Sequence, residues 1–116
     1  MAVKRIVPNV AAVRVAGAKA FYGDLLDMQV VMDLGWIVTF EAAVLAAPQI
    51  SVAAEGGSGR PVPDVSIEVD DLDEVRQRAI AAGFEIEYGP VQEPWGVTRF
   101  FLRDPFGRLV NVVAHD

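Results

Sequence analysis

The feature that most constrains this chain is an order of secondary-structure signals that occurs twice. In the first half, "VKRIVPNV" reads as a strand and "AGAKAFYGDLLDM" as a helix. Three short strand candidates follow, Gln29–Asp33, Trp36–Ala42 and Gln49–Ala53, with "DLGW" as the turn between the first two. In the second half, "DVSIEVDD" is an alternating strand and "DDLDEVRQRAIAAG" a helix, and "FEIEYGP", "GVTRFFLRD" and "RLVNVVA" are three further strands. Strand, helix and three strands therefore recur with a period of about 50 residues, and one explanation must serve both copies. "AEGGSGRPVP", residues 54 to 63, is the one stretch rich in Gly, Pro and Ser, and it reads as a linker or long loop.

The second helix is the better marked. Asp71 is a good N-cap, Glu74 sits three residues on as in a capping box, and Gly83 is the stop. Its apolar stripe is Leu72, Val75, Ala79 and Ala82; the first helix sets Ala18, Phe21, Tyr22 and Leu25 on one side. "DPFG" places Pro and Gly where a tight turn favours them, and Asp104 reads as a turn residue.

Composition narrows the functional classes. With 116 residues, of which 53% are hydrophobic, the chain is expected to be one domain with a proper core. It has no cysteine, so it can build no disulfide, thiolate metal site or cysteine nucleophile. A net charge of −6 repels nucleic acid and anionic lipid and favours a cationic ligand, although a modest acidic balance also serves solubility alone. The start, "MAVKRIVPNV", lacks the apolar core and cleavage site of a signal peptide, and no membrane span is visible. The expectation is a soluble cytoplasmic protein. No catalytic Ser/His/Asp arrangement or Gly-rich phosphate loop is present.

The paired βαβββ order, with "AFYGDLLDM", "VSIEVDDLDEV" and "EPWGVTRFFLRDPFGRLVNVV", resembles the vicinal oxygen chelate superfamily. That superfamily takes in glyoxalase I, extradiol dioxygenases and the fosfomycin- and bleomycin-resistance proteins. The resemblance covers nearly the whole chain. The Trp-Gly before the "RDPFG" turn and final apolar strand looks especially like the bleomycin-resistance branch. Asp27 departs from the pattern, standing where many relatives have Gly. The implied fold is α+β: two βαβββ modules, about 1–54 and 64–116, forming an incomplete eight-stranded barrel around a cleft. Relatives of this size usually pair as homodimers, often by exchanging the first strand.

The resemblance also locates the metal places. Metal-dependent members draw ligands from the first and last strands of each module. Matched by position these are Val7, Ser51, Asp64 and Asn111, where typical relatives carry His or Gln at the first and third and Glu at the second and fourth. Only Asp64 is a good ligand for a divalent cation, so no metal and no cofactor are expected. The single histidine, His115, is not at a ligand place and reads as a loose terminal residue.

Strand alternation supplies the cleft candidates. If Asp64 faces inward, so do Ser66 and Glu68, while Val65, Ile67 and Val69 pack beneath the helices; Asn111 faces inward with Leu109 and Val113, and Asn9 joins Val7. Trp36, Trp95, Tyr88 and Arg99 complete the candidate set. Such a cleft suits a flat, polar or cationic small molecule. Each residue also has a plainer role. Either Trp fills core, Glu68 sits on a solvated face, Asn111 caps a backbone group, and Arg99 and Arg103 form surface pairs. Two function classes follow. One is a binding protein that sequesters an aromatic or cationic compound without metal, as in antibiotic resistance. The other is a glyoxalase-like lyase, isomerase or dioxygenase with an atypical metal site, Glu68 or Asp64 being its base.

Overall fold

Apolar residues at alternate positions make strands with one face for a helix and one for other partners. In the computed structural model, which describes residues 1–116, eight segments form strands. They are β1 (Val3–Ala11), β2 (Gln29–Asp33), β3 (Ile37–Glu41), β4 (Gln49–Ala53), β5 (Val65–Val69), β6 (Ile86–Glu93), β7 (Val97–Arg103) and β8 (Leu109–His115). A short helix, Lys19–Leu25, follows β1, and α1, Leu72–Ala81, follows β5. The repeated strand–helix–three-strand order is thus realised. The strands pair in the order β2-β3-β4-β1-β5-β8-β7-β6, a mixed sheet with β2 and β6 last in the order. No helix is long and apolar enough to cross a membrane.

The chain forms two compact units. One contains Val7–Val62, and the other contains Met1–Ile6 with Pro63–Asp116. In the Val7–Val62 unit, β3 is antiparallel to β2 and β4, and β4 is parallel to the second part of β1, with Asn9 opposite Ser51. Ala18, Val38, Phe40 and Val52 are its buried core, covered by Val15, Tyr22, Met28 and Ile50. The helix here differs from expectation. It is of the π type, with the amide of Leu26 donating to the carbonyl of Phe21 five residues back. That wider winding breaks the three-to-four-residue spacing of an apolar stripe. Ala18 and Tyr22 therefore reach the core while Phe21 and Leu25 stay 53% and 66% exposed. Asp27 takes the left-handed conformation, at φ 57°, that Gly would supply in relatives. The Gly-rich stretch is a folded turn. The Gly56 amide donates to the Arg60 carbonyl, and the Gly59 amide donates to the Glu55 carboxylate. A Cβ at Gly56 would fall 2.0 Å from the Pro61 carbonyl oxygen, so no side chain fits there.

In the other unit, β8 is parallel to β5 and antiparallel to β7, which is antiparallel to β6. The Asp71 carboxylate caps α1 by accepting from the Glu74 amide at 3.1 Å. Gly83, at φ 84°, ends the helix, with the Phe84 amide donating back to the Ala79 carbonyl. Leu72 and Val75 of the stripe pack on Val69, Phe100 and Val112, together with Ile67, Leu102 and Val110, and Ala79 is buried. Ala82 is exposed. Met1–Ile6 attaches to this unit by polar contacts: the Ala2 amide, just before β1, donates to Asp70 at 2.7 Å, and Arg5 of β1 pairs with Glu68 at 3.1 Å.

Candidate functional site

Because Ile67, Val69, Phe100, Leu102, Val110 and Val112 face α1, their neighbours in sequence face the other side of the sheet. Strand register arranges that second face in rows. One row is Ser66, Asn111, Phe101 and Tyr88, the next is Glu68, Val113, Arg99 and Val91, and the third is His115, Val97 and Glu93. Six of the seven residues singled out from the sequence lie in this one unit, Asp64 just before β5 and Glu68, Tyr88, Trp95, Arg99 and Asn111 on or beside this face; Trp36 lies in the other unit.

Arg99 is the centre of the face. Its Nε and Nη2 donate to Glu93 Oε2 at 2.7 and 2.6 Å, and the Tyr88 hydroxyl donates to the same oxygen at 3.1 Å. The guanidinium carbon lies 4.7 Å from the ring centre of Phe101, 5.0 Å from Trp95 and 5.6 Å from Tyr88. The Arg99 and Glu93 side chains are only 4% and 3% exposed. The surface pair expected for Arg99 is instead a buried one, whereas Arg103 does pair at the surface, with Glu87 at 3.0 Å. An isolated buried guanidinium is costly, and one carboxylate plus three aromatic faces offsets that cost. Local backbone geometry positions the pair. Between Tyr88 and Val91 the β6 strand carries one residue more than β7, a bulge at Gly89-Pro90. Gly89 has φ +83°, and an added Cβ would lie 2.5 Å from the Arg99 carbonyl oxygen. Glu93 is not among the sequence candidates, because the strand read at "FEIEYGP" stops short of it. The alternation of "VQE" was the only available signal.

Asn111 is 7% exposed, and its Nδ2 donates to Ser66 Oγ at 3.0 Å. Its Oδ1 is buried with no protein partner. Glu68, 13% exposed, is held by Arg5 at 3.1 Å and by His115 Nδ1 at 2.7 Å. His115 is therefore not a loose terminal residue but the end of β8, hydrogen-bonded across to Glu68 of β5. Asp64 is exposed and accepts from the Leu109 amide at 3.0 Å. Trp36 belongs to the Val7–Val62 unit, half-buried, with its carbonyl accepting from Ala54 at 2.8 Å.

The superfamily's metal can be tested against the residues at its places. Val7 is apolar and 6% exposed, and the Ser51 hydroxyl is hydrogen-bonded to Thr39 at 2.7 Å. Asp64 is tied to a backbone amide, and Asn111 is a neutral amide. None of the four is an imidazole or a thiolate and only Asp64 is a carboxylate, so neither the Val7, Ser51 pair of one unit nor the Asp64, Asn111 pair of the other suits a zinc, iron or nickel ion, which wants imidazole, thiolate or several carboxylates. No three His, Asp or Glu side chains converge where they could hold an ion.

Known proteins agree with this architecture. A Legionella pneumophila structure described as NAD-dependent benzaldehyde dehydrogenase superposes with TM-score 0.76 at 18% identity, covering 97% of this chain and 100% of that one. A Vibrio splendidus member of the glyoxalase/bleomycin resistance protein/dioxygenase superfamily gives 0.65 at 18% identity, covering 97% and 98%. Methylmalonyl-CoA epimerase from Mycobacterium tuberculosis gives 0.65 at 19% identity, covering 98% and 87%. At these identities the likeness is one of fold. No match is found among curated proteins. The family model of the Glyoxalase/Bleomycin resistance protein/Dioxygenase superfamily matches residues 6–112, and the chain belongs to that superfamily.

Proposed function

We propose that this protein binds and sequesters a small aromatic compound on the polar face of the Met1–Ile6, Pro63–Asp116 unit, without metal, in the manner of bleomycin-resistance relatives. The observation that carries the reading is the buried Asn111 Oδ1 without a protein partner, one row from Arg99 and beside Phe101 and Tyr88. Native proteins rarely leave such an atom unpaired, so a hydrogen-bonding group of a ligand or a water belongs there. The half-buried Tyr88 and Trp95 rings of the same unit supply apolar contact area. A cationic ligand is less well supported than an aromatic one. Glu68, its expected partner, already holds Arg5 and His115, and the Trp95 ring already faces Arg99. The alternative is a lyase, isomerase or dioxygenase. It has less support, since its candidate bases Asp64 and Glu68 are both engaged and the metal places carry poor ligands.

The test is a panel of planar aromatic compounds, bleomycin-like ones included, read by tryptophan quenching and by thermal shift. Binding should weaken in Asn111→Leu and Trp95→Ala, and the compound should be recovered unaltered after incubation. Chemical conversion of a bound compound, or about one metal ion per purified chain that is lost on Asp64→Ala, would overturn sequestration in favour of an enzyme. A panel that leaves both signals unchanged would remove the aromatic class.

A further inference from the structure

His115 and Glu68 form an acid–base pair that sequestration alone does not use. Glu68 Oε2 lies 2.7 Å from His115 Nδ1, and Glu68 Oε1 lies 3.1 Å from Arg5 Nε. An ionised carboxylate only accepts, so Nδ1 carries the proton, and whenever the ring is neutral Nε2 keeps its lone pair as a base. The His115 side chain is 53% exposed while Glu68 is 13% exposed, so the imidazole is reachable and its anchor is shielded. His115 shares the face of Asn111 and Val113 by strand alternation and stands opposite Val97 on β7. Arg99, two residues further along β7, is its diagonal neighbour, at a separation that long and aromatic side chains bridge. Arg99 in turn carries the half-buried Trp95 indole, 5.0 Å away. The exposed imidazole of His115 thus stands on the face of the sheet that also carries Asn111 and Arg99.

We propose that His115 is the proton acceptor for a ring hydroxyl of the ligand, which makes the ligand class a phenol. The proposal rests on the aromatic-ligand reading above and deepens it. The phenol O–H bond breaks, the proton passes to Nε2, and the electron pair remains on the phenolate oxygen. Nothing is oxidised or reduced. Glu68 stabilises the imidazolium so formed through Nδ1–H. The surrounding charges allow it: Arg5 from β1 and Arg99 from β7 balance Glu68 from β5 and Glu93 from β6. A proton arriving on His115 therefore leaves one positive charge to face the phenolate. Asp116 is bonded to Thr98 at 2.8 Å and Gln92 at 3.2 Å, which lie on the opposite side of the sheet by alternation.

The experiment uses the full chain with 4-nitrophenol, whose neutral and ionised forms absorb differently, and 4-nitroanisole, which has no proton to give. Below the pH at which free 4-nitrophenol ionises, the bound probe should show a phenolate-to-phenol ratio raised about tenfold, the equivalent of one pKa unit. His115→Gln should return the ratio to its free value and abolish the preference for 4-nitrophenol over 4-nitroanisole. Glu68→Gln should give an intermediate ratio, because the imidazolium loses its carboxylate but keeps the base. Quenching of tryptophan by both probes with no rise in ratio, or the same rise in His115→Gln, would overturn the proton transfer and leave the aromatic-ligand reading intact. Absence of quenching by either probe would sink both.

Discussion

Glu93→Ala probes the burial of the central pair. In the native protein one carboxylate oxygen accepts from Arg99 Nε, Arg99 Nη2 and the Tyr88 hydroxyl, at 2.7, 2.6 and 3.1 Å. Both charged side chains are within 4% of complete burial. Removing the carboxylate leaves a guanidinium in an aromatic surround and a hydroxyl without its acceptor. Breaking a buried pair from one side costs about 3–5 kcal/mol. At roughly 4 °C per kcal/mol for a domain of about a hundred residues, the melting temperature should fall by about 12–20 °C. The internal comparison is Arg103→Ala, which breaks the pair with Glu87, whose side chains are 48% and 41% exposed. An exposed pair of that kind contributes less than about 1 kcal/mol. Urea unfolding followed by circular dichroism measures both. The double variant Arg99→Met, Glu93→Leu should recover most of the loss, because an apolar pair of similar volume carries no desolvation penalty. If Glu93→Ala costs no more than Arg103→Ala, the pair is hydrated and the reasoning fails.

Gly89→Ala should destabilise by about 1–3 kcal/mol in the same urea assay, through a positive φ and crowding of the Arg99 carbonyl, whereas an unchanged midpoint would mean that the bulge shifts freely. The Asp70 carboxyl is held below its usual value by the Ala2 amide. Its contribution is therefore present above the unfolded-state pKa and lost as pH falls through the lower folded value. Asp70→Asn should make the acid limb of the stability profile shallower, and an unaltered limb would count against it. Light scattering at micromolar concentration should show a homodimer, which a monomer alone would refute.

Periodicity and turn chemistry carried much of the architecture. The Asp71 cap, the Gly83 stop and the "DPFG" turn are local chemistry, and each took the form its residues call for. Alternation correctly assigned Ile67 and Val69 to the helix side, and the Asn111–Ser66 contact places those two residues together on the other side. The π-type winding at Lys19–Leu25 was not legible, because the pattern of Ala18, Phe21, Tyr22 and Leu25 fits an ordinary helix equally well.

The residues of this chain determined by themselves which segments are strands and which positions along a strand share a face. Those properties depend on residue type and on neighbours a few positions away. Tertiary structure alone decided who meets whom across the strands. Glu68 finds His115 47 residues away, and Glu93 reaches Arg99 only because a bulge and a hairpin set the register between β6 and β7. A period of two names the face of a residue but not its partner on the next strand. Register makes that choice, so the same arginine that reads as a surface charge becomes the buried centre of the face.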